Sequence, residues 1–204
     1  MDSFNSRERA QQRRFAEKRD QLFRPVVNWL MQKGITSNQV SLLGVGFLAL
    51  ACLMPPPLAL PAVVLIILYV LCDGIDGPLA RQSGKAHDGG SLVDIVADQM
   101  GVVLLTASAT YHLDAFGPAM VLFSAAYTVF IGLVVYANEL DVSVRIFVRS
   151  KYPFYTLYGI GLYQNQDIVS WFCGLFAVYY AVESSTVLKK IYDYHASQTE
   201  QRDS

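Results

Sequence analysis

Charge is scarce in this chain. Asp, Glu, Lys and Arg make up 16% of its 204 residues, below the roughly 25% usual for soluble domains. Cysteine is scarcer still. Cys52, Cys72 and Cys173 lie in or beside apolar segments with no C-x-x-C spacing. That excludes a disulfide framework and a thiolate metal site, and leaves buried free thiols as the expectation. His87, His112 and His195 give no metal-ligand spacing, and His87 reads as a solvated loop residue. No G-x-x-x-x-G-K-[ST] loop, nucleophile elbow or H-E-x-x-H occurs, so those routes to nucleotide binding and hydrolysis are closed. Internal repeats and low-complexity segments are absent, as is an apolar signal peptide within the charged first thirty residues. The formal net charge of −1 points to no partner, and nucleic acid is not expected as one.

Apolar residues, by contrast, reach 53% and come in blocks. Gln39 to Leu58, Leu60 to Cys72, Leu92 to Tyr111 and Pro118 to Ala137 carry few or no charges. Such runs approach the roughly 20 residues needed to cross a bilayer core. The outer loops Pro55 to Pro61, His112 to Gly117 and Tyr163 to Asp167 contain no Lys or Arg. Basic residues gather on the other side, which is the positive-inside bias. It predicts an even number of crossings with both termini cytoplasmic, in a plasma (inner) membrane.

The expected fold is an all-α integral membrane protein: a six-transmembrane-helix bundle preceded by an N-terminal juxtamembrane amphipathic helix. Residues 1–38 form the cytoplasmic segment, 39–192 the transmembrane domain and 193–204 a disordered tail. In the first segment Phe15, Leu22, Phe23, Val26, Val27 and Leu30 recur at near-helical spacing. Arg13, Arg14, Lys18 and Arg19 could then face headgroups, or the helix could pack on the protein itself. The first crossing ends near Leu53 at the Pro55-Pro56-Pro57 run. The others cover about Ala59 to Asp76, from Gly90, from Pro118, Val144 to Tyr163 and Ile168 to Ala181.

The chemistry concentrates in residues 73–98. Asp73 and Asp76 are three apart, and Asp94 and Asp98 four apart, so each pair shares a helix face. Two antiparallel helices could present four carboxylates across their interface. Bare carboxylates that close repel strongly in a low dielectric. Two hard divalent ions, Mg²⁺ or Mn²⁺, would resolve the conflict and suit in-line displacement at phosphorus. Gly77 and Gly90 remove side chains near the helix ends, Ala80 keeps the surface low, and Arg81 can give paired hydrogen bonds to a phosphate. Asp88 reads as a plain loop or capping residue.

The spacing Asp73, Asp76, Gly77, Ala80, Arg81, Gly90, Asp94, Asp98 resembles the signature D-x2-D-G-x2-A-R-x8-G-x3-D-x3-D of the CDP-alcohol phosphotransferase family. The resemblance implies transfer of a phosphatidyl group from CDP-diacylglycerol to a polar alcohol acceptor, with loss of CMP. It implies that Asp73, Asp76 and Asp94 are metal ligands and that Asp98 is the catalytic base and a possible ligand. Gly77, Ala80, Arg81 and Gly90 would line the CDP site. Ser37-Asn38-Gln39-Val40-Ser41 is similar to the family's P-N-x-x-T element, which makes Asn38 a nucleotide contact or a helix cap. Residues 138–145 are similar to the R-E-L-x-V-S-x-x-R stretch of phosphatidylglycerophosphate synthases, with Asn138 in place of the leading Arg. That weakens glycerol phosphate as acceptor, while Arg145, Arg149 and Lys151 could bind another anionic acceptor or serve as inner-face anchors. The family also implies a homodimer among membrane lipids. Rival readings are an aspartate-rich membrane prenyltransferase, which would carry a second such motif, and a cation transporter, whose carboxylates would spread through the membrane.

Overall fold

Helix after helix is started and stopped by local signals, and the computed structural model describes them over residues 6–84 and 88–203. They are α1 (Ser6–Gln32), α2 (Ser37–Cys52), α3 (Ala59–Gln82), α4 (Asp88–His112), α5 (Gly117–Glu139), α6 (Lys151–Gln164) and α7 (Ser170–Asp203). A single 3₁₀ turn, Pro56–Leu58, precedes α3, and no strand occurs among the described residues. His87 and the side chains of Arg13, Arg14, Phe15, Lys18 and Asp88 lie outside what is described.

Among the described residues, four helical segments are long and apolar enough to cross a membrane: Pro56–Gln82, Leu92–His112, Gly117–Glu139 and Ser170–Thr199. A fifth is possible if Arg19–Gln32 and α2, which meet at 106°, count as one broken span. The chain is therefore a multi-pass membrane protein with four to five candidate spans, against the six expected from sequence. Length is the reason. The 14 residues of α6 extend only about 21 Å at 1.5 Å per residue, short of a core about 30 Å thick.

Two compact units divide the chain: Met1–Met54 with Leu58–Leu104, and Pro55–Pro57 with Leu105–Ser204. In the first, α1 ends where Gly34 adopts φ +72°. Ile35 N–H then bonds the Leu30 carbonyl and Gly34 N–H that of Met31, a Schellman closure that needs a left-handed residue. Two residues on, Thr36 caps α2 with a reciprocal Gln39 capping box. Val27, Val40 and Leu79 form a buried cluster, with Phe23, Leu30, Ile35, Cys72 and Ile75 packed against it. That cluster holds α1 and α2 on α3. Leu22, Val26 and Trp29 remain exposed on α1.

The second unit is built around aromatics. Phe123 of α5 is fully buried and meets Tyr127, Phe154, Phe172 and Tyr180 at centroid distances of 5.3–6.3 Å. Such edge and tilted pairs add to simple area burial. Asp141 at φ 55° stops α5, and residues 142–150 run as a non-helical strap instead of beginning the fifth helix at Val144. α7 pairs part of the strap's backbone. The Tyr179 hydroxyl accepts from Val148 N–H, and the Tyr180 hydroxyl accepts from Ser150 N–H and donates to the Val148 carbonyl. Arg145 forks onto Glu183, with Nε at 2.9 Å from Oε2 and Nη2 on Oε1.

This pair is asymmetric, since Glu183 is 3% exposed and the Arg145 side chain 61%. Removing the cation leaves a buried carboxylate unpaired, which costs more than removing both partners. Arg145→Ala is expected to lower the melting temperature, and adding Glu183→Gln to recover most of the loss. Equal melting of wild type and Arg145→Ala would show that the clasp carries no stability.

Residues 193–203, expected as a disordered tail, instead continue α7 as helix. Extending an anchored helix is far easier than nucleating one. The Tyr136 hydroxyl also lies 3.1 Å from His195 Nε2, with the two rings stacked.

Candidate metal centre

The signature residues lie on α3 and α4, within the first unit. Oxygen atoms of Asp73, Asp94 and Asp98 all come within 4.8 Å of one another, and all three residues are half-buried. Hard divalent cations take oxygen ligands at about 2.0–2.6 Å, so oxygens on opposite sides of one ion stand about 4–5 Å apart. The trio fits such an ion in both spacing and donor chemistry. An all-carboxylate group of this kind suits hard cations rather than the nitrogen or sulfur ligation typical of Zn²⁺.

Asp76 stands outside the trio. It is 4% exposed, accepts from Ser41 Oγ at 2.6 Å through Oδ2, and accepts from Gly77 N–H at 2.7 Å through Oδ1. Asp76 is thus held by α2 as well as by its own helix. Sequence reading missed Ser41 as a site residue. The signal was available, because Ser41 occupies the position of the final Thr in the P-N-x-x-T-like element.

Tyr69 was missed as well. It lies one turn before Asp73, is 2% exposed, and donates its hydroxyl to Asp98 Oδ1 at 3.2 Å. Gly44 permits this arrangement. A Cβ there would stand 3.0 Å from the Cys72 Cβ and 3.3 Å from the Tyr69 ring, so only glycine lets α2 lie this close to α3. Pro78 sits buried inside α3; having no N–H, it leaves the Gly74 carbonyl without its helical donor.

Arg81 has a partner within the protein. Its Nε and Nη2 donate to the two carboxylate oxygens of Asp20 on α1, at 3.1 and 2.6 Å. Gln82 Nε2 also reaches the Asp20 carbonyl, at 3.5 Å. Ala80 and Gly77 are half-buried beside this contact, and Gly90 is half-buried near the start of α4. Because Thr36 is the cap of α2, Asn38 is released from that role. With Met31, Gly34, Ile35, Thr36, Ser37 and Ser83 it lines a pocket of about 340 Å³.

The remaining basic residues belong to the second unit. Arg145 is committed to Glu183, Arg149 is exposed on the strap, and Lys151 is buried with its Nζ 4.7 Å from the Tyr152 ring centroid. Cys52 and Cys72 are half-buried, Cys173 is buried, and none of the three is in a disulfide.

A family model described as CDP-alcohol phosphatidyltransferase matches residues 30–182. No curated protein matches the chain in sequence. Among solved structures, the fold is similar to that of a Mycobacterium tuberculosis phosphatidylinositol phosphate synthase in complex with manganese and citrate. That match has a TM-score of 0.69 at 17% identity, over 82% of this chain and 88% of that one. The same enzyme with CDP-DAG bound matches with a TM-score of 0.68 at 17% identity, over 82% and 92% of the two chains.

Proposed function

Because the chain belongs to the CDP-alcohol phosphatidyltransferase family, we propose that it moves a phosphatidyl group from CDP-diacylglycerol to a polar alcohol, releasing CMP. The observation that carries this reading is the convergence of Asp73, Asp94 and Asp98 within 4.8 Å inside the signature segment.

Asp73, Asp94 and Asp98 would hold a divalent ion, and Asp76, held by Ser41 and Gly77 N–H, would join them around a second. Mg²⁺ or Mn²⁺ bound there supplies charge neutralisation and polarises oxygens at the transferring phosphorus. Asp98 takes the proton from the attacking hydroxyl. Its carboxylate is steadied by Tyr69, and a base at hydrogen-bond reach is what such a step requires. Gly77, Ala80, Gly90 and Arg81 border the CDP, and Asn38 contacts the nucleotide from its pocket.

The acceptor we favour is a phosphorylated polyol. The basic cluster Arg145, Arg149 and Lys151 in the sequence leans toward an anionic headgroup of that kind. A lipid donor also favours an active site at the cytoplasmic edge of the inner membrane, where acyl chains stay in the bilayer and CDP faces water. In this reading α2 and α6 are short crossings that complete six, α1 lies along the membrane surface with its exposed Leu22 and Trp29, and the enzyme is a homodimer.

Purified protein given labelled CDP-diacylglycerol and a panel of alcohols tests the assignment, with the lipid product identified by mass. A phosphorylated polyol is expected to yield labelled lipid at least about tenfold faster than serine or choline. A preference for an uncharged alcohol would overturn the acceptor, and no product with any alcohol would overturn the activity.

A further inference from the structure

α1 meets α3 across two glycines. A Cβ at Gly74 would stand 3.4 Å from the Phe23 ring, and one at Gly77 would stand 3.3 Å from Arg19 Nη2. Phe23 and Arg19 are four apart on α1, and Gly74 and Gly77 three apart on α3, so both contacts belong to one helix–helix seam. The same point above Gly77 is 3.3 Å from Arg81 Nη1. Two guanidinium groups thus converge over the glycine that follows Asp76.

Like charges do not gather without compensation. Asp20 supplies part of it, taking Arg81 Nε and Nη2 and leaving Nη1 turned toward Gly77. No carboxylate among the described residues pairs with Arg19. Among the described residues Asp20 is the one carboxylate paired with either guanidinium, and the fork of each suits phosphate oxygens. Gly77, lacking a side chain, leaves room between them.

We propose that Arg19 of α1 is a ligand for the donor's diphosphate, forming with Arg81 a two-guanidinium clamp over Gly77, and that Asp20 is the residue that positions Arg81. This rests on the CDP-linked donor proposed above. The N-terminal helix then completes the donor site, beyond any part it plays at the membrane surface.

The test is calorimetric binding of CDP and of CMP to the full-length protein in neutral detergent with Mg²⁺, alongside steady-state kinetics with CDP-diacylglycerol. Loss of a charged hydrogen bond corresponds to about a tenfold change in affinity. Arg19→Ala is expected to weaken CDP by about tenfold and CMP by less, and to raise KM for the donor while kcat stays within about twofold. Arg19→Lys should recover part of the loss, since it keeps the charge without the fork. Unchanged CDP affinity in Arg19→Ala, with wild type binding normally, overturns the clamp alone. So does an equal loss of CDP and CMP with a lowered melting temperature, which marks a structural residue. Activity lost but restored by added anionic lipid, with CDP affinity intact, would assign Arg19 to bulk headgroups and also overturn it. Wild-type protein that binds no CDP overturns the donor reading itself.

Discussion

Asp98→Asn is expected to slow CMP release from CDP-diacylglycerol by about 10²–10⁴-fold, the range in which a positioned base contributes. The substitution keeps the shape of the side chain and an oxygen that can still accept from Tyr69, 3.2 Å away. What it removes is the negative charge and the site that takes the proton. Asp98 is half-buried among two further carboxylates, so loss of its charge also relieves repulsion in the unloaded protein. The variant should therefore melt no lower than wild type. That separates a chemical defect from a folding one, and activity within about threefold of wild type would remove Asp98 from the reaction. Tyr69→Phe gives the companion measurement. It takes away one hydrogen bond and leaves the carboxylate, so a smaller loss, about three- to tenfold, is expected.

Gly44→Leu is the second large effect. Even a Cβ would approach the Cys72 Cβ to 3.0 Å, and the rest of a leucine would have to displace the Tyr69 ring or push α2 away from α3. Overpacking of this kind costs about 1–3 kcal/mol. The functional cost should exceed what stability alone predicts. Ser41, which holds Asp76, lies three residues before Gly44 on α2, and Tyr69, which holds Asp98, lies directly beneath it. A shift of α2 disturbs both at once. Gly44→Leu should lose at least about tenfold in activity even at temperatures where it remains folded, and Gly44→Ala much less. Wild-type turnover in Gly44→Leu would mean that the α2–α3 approach does not position the site.

The aspartates were legible in sequence because helical periodicity is local: residues three or four apart must share a face whatever the tertiary fold does. The same holds for the apolar helices and for the break at Gly34. Side-chain contacts between helices were not legible. Asp20 and Arg81 are 61 residues apart, Ser41 and Asp76 are 35 apart, and Tyr69 and Asp98 are 29 apart. Nothing in local pattern chooses these partners. Asp76 therefore read as a ligand like Asp73 and Asp94, and its hydrogen bonds from Ser41 and Gly77 N–H were not foreseen.

Loop and tail limits failed for a related reason. Val144 to Ser150 carries an apolar pattern fit for a helix, yet Val148 and Ser150 give their N–H groups to tyrosine hydroxyls of α7 and Arg145 pairs with Glu183. The polar composition after Tyr194 signalled disorder, and a helix already 25 residues long at that point simply continues. The cap of α2 is Thr36 and not Asn38, a choice that local composition left open.

The account stands most directly on a divalent ion held by Asp73, Asp94 and Asp98. Purified protein should release CMP from CDP-diacylglycerol, lose that activity on chelation with EDTA, and regain it when Mg²⁺ or Mn²⁺ is restored. An Asp73→Ala, Asp94→Ala double variant should stay inactive at any metal concentration. CMP release that persists undiminished in EDTA, or that survives in the double variant, would contradict it.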